Sequence, residues 1–208
     1  MKNTRQLGFL SSLGLVIVGM TYAIVVGFGI AQVGLDKPII DPTLAVMEAI
    51  TLVSAPLIVI LLAAVSGLAS PERKVFGVLA LTFGAIMAGL TSAVHFVTLT
   101  AGRQMNFTTL DWPSTLYSVE LLAWDVFLGL ALVFAAPAVT GRGHSARARW
   151  ALFATGVLCL LGAIGPMVGN MAIQRVGILG YGIVLPISCI FLALVFHEGK
   201  GHERAETL

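Results

Sequence analysis

Charge is what this sequence has least of. Only 11% of its 208 residues are Asp, Glu, Lys or Arg, where a soluble domain carries about 25%. A chain that is also 58% hydrophobic cannot cover itself with a water-facing surface, so most of it must meet lipid or other buried helices. The net charge of +2 and the scattered basic residues exclude the electrostatic footprint of a nucleic-acid partner. Cysteine is nearly absent. Cys159 and Cys189 stand alone, mid-helix and outside any CxxC pair. That excludes a disulfide framework or thiol relay and leaves two small buried apolar side chains.

Other absences remove function classes. Of the four histidines, His95 alone lies well inside an apolar run, so paired axial haem ligands are missing. No lysine sits within an apolar run to form a retinal Schiff base. Ser92 and His95 share a helix face, but no Gly-x-Ser-x-Gly accompanies them. HExxH and ExxH metal motifs are absent. The basic loop TGRGHSARAR (140–149) lacks the lysine and spacing of a phosphate-binding loop and reads as a topology signal.

What is present is long apolar runs. About 20 residues cross a bilayer, and six runs are long enough, near 8–33, 43–68, 75–100, 114–138, 149–170 and 176–197. The expected fold is all-α, a six-helix membrane bundle forming one integral membrane domain over 1–208. The first run follows Lys2 and Arg5 but is too long for a signal peptide and has no A-x-A site, so it reads as a retained helix. The loops set the orientation. One side holds Lys2, Arg5, Arg73, Lys74, Arg142, Arg147, Arg149, Lys200 and Arg204; the other holds only Lys37, Arg103 and Arg175. Both termini are therefore expected in the cytoplasm. In size and hydropathy the chain resembles small six-helix bacterial membrane proteins, which implies a bacterial inner (plasma) membrane and carries over no residues. Asn106–Phe107–Thr108 fits a glycosylation sequon, a pattern common by chance.

Short internal echoes suggest three helical hairpins. TLAVME (43–48) opens the second run and TLYSVE (115–120) the fourth, each just after a proline. GMTYA (19–23) matches GLTSA (89–93), and GAI occurs at 84–86 and at 162–164. Repeats of this kind often meet around a shared central site.

Against this background the acids inside TLYSVELLAWDVF (115–127) are costly and read as a functional-site hypothesis. At 1.5 Å per residue, Glu48 and Glu120 lie roughly 8 Å inside their helices. His95, near the far end of the third run, reaches a similar depth. These three are expected to form one layer in the outer third of the membrane. Gln32, Asn170 and Gln174 lie just above it, and Asp125 lies deeper. Residues three and four apart share a face. Tyr117, Glu120 and Trp124 thus align, as do Thr91, Ser92 and His95, and Tyr22 stands with Gly19 and Gly29. Asp125, about 140° round an α-helix from Glu120, should aim elsewhere. Segments 57–65 and 127–136 hold no ionisable group, so the polarity is one-sided.

The expected site is an outward-opening polar pocket made by Glu48, His95, Glu120, Asp125, Tyr22, Thr91, Ser92, Trp124 and Asn170. It would bind or transport a small solute, with protons linked to the carboxylates. An alternative is a metal-dependent membrane hydrolase, with Glu48, His95 and Glu120 holding a divalent ion. A third reading is a non-catalytic subunit or sensor whose acids are neutral, hydrogen-bonded and structural. The expected partners are the lipid bilayer, a small solute or protons, and a homo-oligomer or larger membrane complex; no nucleic acid is expected.

Overall fold

A computed structural model describes residues 2–34, 39–105 and 112–205, with side chains through Glu198. Lys37 and the sequon at Asn106 lie outside the described residues, as do the side chains of Lys200 and Arg204. All regular structure among the described residues is helical. Six segments are long and apolar enough to span a membrane: α1 (Lys2–Val33), α2 (Thr43–Leu68), α3 (Pro71–Gly102), α4 (Thr115–Ala138), α5 (His144–Met167) and α6 (Met171–Glu198). Helices suit such a sequence because every backbone N–H and C=O is satisfied within the segment.

α2 occupies the run read from sequence, and α4 differs from it by a residue. The other boundaries need correction. α1 begins at Lys2 rather than near residue 8, because its polar first turns are as helix-competent as the apolar run. α5 starts at His144, inside the basic loop, and its segment ends at Met167 rather than Asn170. The stop is chemical: Gly169 adopts φ +70°, the left-handed conformation that closes helices. Asn170 then caps α6, its side chain accepting the Ala172 N–H at 3.0 Å. Gln174 therefore belongs to α6, not to the outer end of the fifth helix.

The helices form a ring in chain order. Each packs on the next, and α6 returns to α1. The start of α1 and the end of α6, where Gly8 meets Phe196, lie at one end of the ring, called here the terminal end. The end of α1, the start of α2, the end of α3 and the start of α4 lie at the other, the loop end, together with the α5–α6 break. Since α2–α3 and α4–α5 are also neighbours, packing does not single out the hairpins of the expected repeat. The apolar core fills the terminal half, with Leu62, Val65, Leu128, Leu132, Leu192 and Phe196 buried. Small residues allow close approach. A Cβ on Gly162 would meet the Gly177 Cα at 2.6 Å, and one on Gly156 would meet the Gly129 carbonyl oxygen at 2.6 Å. The outer faces are apolar, as Ile17, Ile24, Phe28, Val53 and Ile183 show. A soluble monomer rarely exposes such continuous apolar surface.

Three helices carry π turns: Thr98–Gly102 in α3, Leu122–Phe127 in α4 and Gly180–Val184 in α6. The π-helix accounts for well under 1% of residues in globular proteins and is found frequently at functional sites.

Candidate functional site

All three π turns border one polar network at the loop end. Its hub is the carboxylate of Glu120, a residue 8% exposed. Oε1 meets His95 Nε2 at 2.8 Å and accepts hydrogen bonds from the Thr91 hydroxyl at 2.6 Å and the Trp124 indole N–H at 2.5 Å. The same indole N–H reaches Thr91 Oγ1 at 2.7 Å. The spacing dictates this convergence. Thr91 and His95 sit one turn apart on α3, as do Glu120 and Trp124 on α4, and the two faces oppose each other. Tyr22 of α1 is half exposed, within electrostatic range of Glu120 and Tyr117.

Asp125 is fully buried. Its Oδ2 accepts from Gln174 Nε2 at 3.3 Å, and Gln174 also donates to the Tyr181 hydroxyl at 3.2 Å. Gly177 makes the room: a Cβ there would collide with Asp125 Oδ1. The Tyr181 ring packs on Trp124, centroids 5.2 Å apart. Glu120 and Asp125 thus point at different partners, as their spacing requires, yet Trp124, Tyr181 and Gln174 join them into one continuous cluster. The π turn contributes to this. Its hydrogen bonds link residues five apart, so groups at that spacing lie closer to one face than on an α-helix.

Glu48 goes elsewhere. Its carboxylate is 1% exposed and forms an ion pair with Arg103 Nη1 at 2.8 Å. Arg103 also holds the half-exposed Asp41 through Nε and Nη2, at 3.1 and 2.9 Å, and donates to the Thr98 carbonyl at 2.7 Å. The Asp41 hydrogen bonds raise the guanidinium above its ordinary pKa; partial burial opposes them and Glu48 adds to them. Sequence reasoning counted Arg103 as a loop charge and missed this role. The signal was present: an arginine one residue past the end of α3 is long enough to reach back to an acid little more than one turn inside the neighbouring helix.

The ionisable residues of the expected open pocket, Glu48, His95, Glu120 and Asp125, are all buried. Arg103 and Asp41 cover Glu48, and Trp124 and Tyr181 fill the space between Glu120 and Asp125. The remaining predicted residues differ in placement. Ser92 is half buried and is not among the hydrogen-bonding groups of the network. Asn170 is exposed and serves as the cap of α6. Among the described residues no three His, Cys, Asp or Glu side chains converge as a metal-ligand group. Glu48 faces Arg103 while His95 faces Glu120, so the three ligands of the hydrolase reading are not assembled.

Six buried side-chain polar atoms among the described residues have no hydrogen-bond partner, and four belong to this region: Glu48 Oε1, His95 Nδ1, Glu120 Oε2 and Asp125 Oδ1. Buried polar atoms are ordinarily satisfied, so such a concentration calls for an explanation. The arrangement offers unused acceptors on Glu120 and Asp125 and a free imidazole nitrogen on His95 around the Trp124 and Tyr181 rings, with a further unused acceptor on Glu48 beside Arg103. Comparison with protein-family models, curated proteins and solved structures gives no match to this chain.

Proposed function

We propose that this is an integral membrane protein that binds a small solute at the loop-end network and carries it across the membrane with linked protons. The observation supporting this is the continuous path from His95 through Glu120, Trp124, Tyr181 and Gln174 to Asp125, with unpartnered polar atoms along it. Carboxylates and an imidazole held out of water are proton carriers or anchors for a cationic group. The nearby aromatic faces suit an amine or quaternary ammonium. The closed geometry corresponds to an occluded state, with the Arg103 bridge over one side. The terminal half is apolar and packed, so release on that side requires the helices to shift.

The distribution of basic residues supports an orientation with both termini inside, placing the network towards the outer face of a bacterial plasma membrane. Assembly with further copies or other membrane subunits is compatible with the apolar outer faces.

The test is uptake of a panel of small amines by protein in vesicles containing a pH-sensitive dye. At least one amine should drive a pH change that Glu120→Gln and Asp125→Asn abolish without lowering the melting temperature. A fully active double variant would sink the proposal. If these substitutions alter only stability or assembly, the network is structural and the chain a non-catalytic subunit.

A further inference from the structure

A second feature lies at the opposite end of the bundle. A groove of about 630 Å³ runs between α3, α4 and α5, within the size range of small-molecule sites. One wall carries Phe76 and Phe134, stacked with centroids 6.5 Å apart. The other carries Trp150 and Phe153, edge to face at 6.1 Å. Trp150 is 64% exposed, far more than an indole that only packs in a core. Two arginines, Arg73 and Arg149, complete the lining.

The arginines are anchored but not neutralised. Arg73 Nη1 donates to the Pro137 carbonyl at 3.1 Å and Arg149 Nη1 to the Val139 carbonyl at 3.5 Å. These carbonyls close α4, where acceptors lack helical partners. Neither arginine forms an ion pair with a carboxylate among the described residues. The neighbouring acid Glu72 is engaged by its own backbone and Ser70. Each guanidinium keeps further N–H donors in the planar fork that matches phosphate.

We infer that this groove binds an anionic phospholipid, its phosphate held by Arg73 and Arg149 and an acyl chain laid between the two aromatic walls. Paired positive charge without a counter-charge selects an anionic headgroup over a zwitterionic one. An apolar channel leading away from the charges selects a lipid over free phosphate. Basic pockets between helices at the cytoplasmic side of membrane proteins bind anionic headgroups in this way. The inference rests on the helices being membrane-embedded and is independent of the polar network.

Native mass spectrometry of delipidated protein, titrated with phosphatidylglycerol or phosphatidylcholine, tests it. Phosphatidylglycerol should be retained preferentially. Arg73→Gln and Arg149→Gln should each weaken retention about 5-fold, and together about 25-fold, from about one surface-potential increment per arginine. Equal retention of the two lipids by the wild type overturns the proposal. So does an unchanged double variant, or displacement of the lipid by inorganic phosphate at equal concentration. Arg73 is exposed, so Arg73→Gln alone decides the matter if the double variant fails to fold: unchanged phosphatidylglycerol retention overturns the proposal.

Discussion

Replacing Arg103 with methionine keeps the stem and removes the charge. Glu48 then keeps a carboxylate that is 1% exposed with no cation beside it. Breaking a buried pair by removing one partner costs about 3–5 kcal/mol, and the Thr98 carbonyl loses a donor as well. For a chain of this size that corresponds to a fall in melting temperature of about 10 °C. Asp41, whose side chain is 44% exposed, should matter far less: Asp41→Asn should cost under about 1 kcal/mol. Adding Glu48→Gln to Arg103→Met removes the stranded charge and should recover most of the loss, a coupling that a double-mutant cycle isolates. Alkaline pH will not substitute for the mutation. The Arg103 pKa is raised in the folded state, so its contribution is complete below the ordinary arginine value and is lost only as pH rises beyond it. The assay is thermal unfolding in detergent followed by circular dichroism. If Arg103→Met melts together with Asp41→Asn, the bridge is a surface ornament and the reasoning fails.

Three further outcomes follow from the geometry. In a Trp112→Phe, Trp150→Phe background, Glu120→Gln should shift the emission of Trp124, whose indole N–H donates to that carboxylate; unchanged emission would count against the contact. Gly177→Ala should cost about 1–3 kcal/mol through overpacking against Asp125 Oδ1 and Gly162, with part of the loss restored by Asp125→Ala, both read as melting temperatures. Thr155→Val removes the buried 3.2 Å bond to Ser188 between α5 and α6 and should cost only about 0.6 kcal/mol, since interhelical bonds of this kind have alternatives in a membrane; a loss of several kcal/mol would show that this pair carries more of the packing than its geometry implies.

The six helices could be read directly because composition alone decides them: 58% hydrophobic residues separate cleanly into runs. The Glu120 hub was partly legible for the same reason that α-helical faces are, since Thr91 with His95 and Glu120 with Trp124 fall one turn apart. Three features escaped. The α5–α6 break was read between 170 and 176 and falls a few residues earlier, because hydropathy does not report the Gly169 stop and the Asn170 cap. The destination of Glu48 depended on Arg103 folding back from beyond a helix end, which periodicity does not report. The link from Glu120 to Asp125 required Gln174 and Tyr181 from α6, so it depended on which helices are neighbours and on a π turn that leaves no mark in residue type.

That π turn in α4 has a further consequence. It is one residue more than an α-helix of the same length needs. Deleting one residue between Leu122 and Phe127 would return the segment to α geometry with its two flanks still in phase, because a π hydrogen bond joins residues five apart where an α bond joins residues four apart. Glu120 would still face His95, and Leu128 and Leu132 would keep their places in the core, while the turn that carries Trp124 and Asp125 would be redrawn. The two halves of α4 share one register across the widened turn, and the extra residue is confined to the stretch that aims Asp125. A helix built this way can re-aim its acid without unlocking its core.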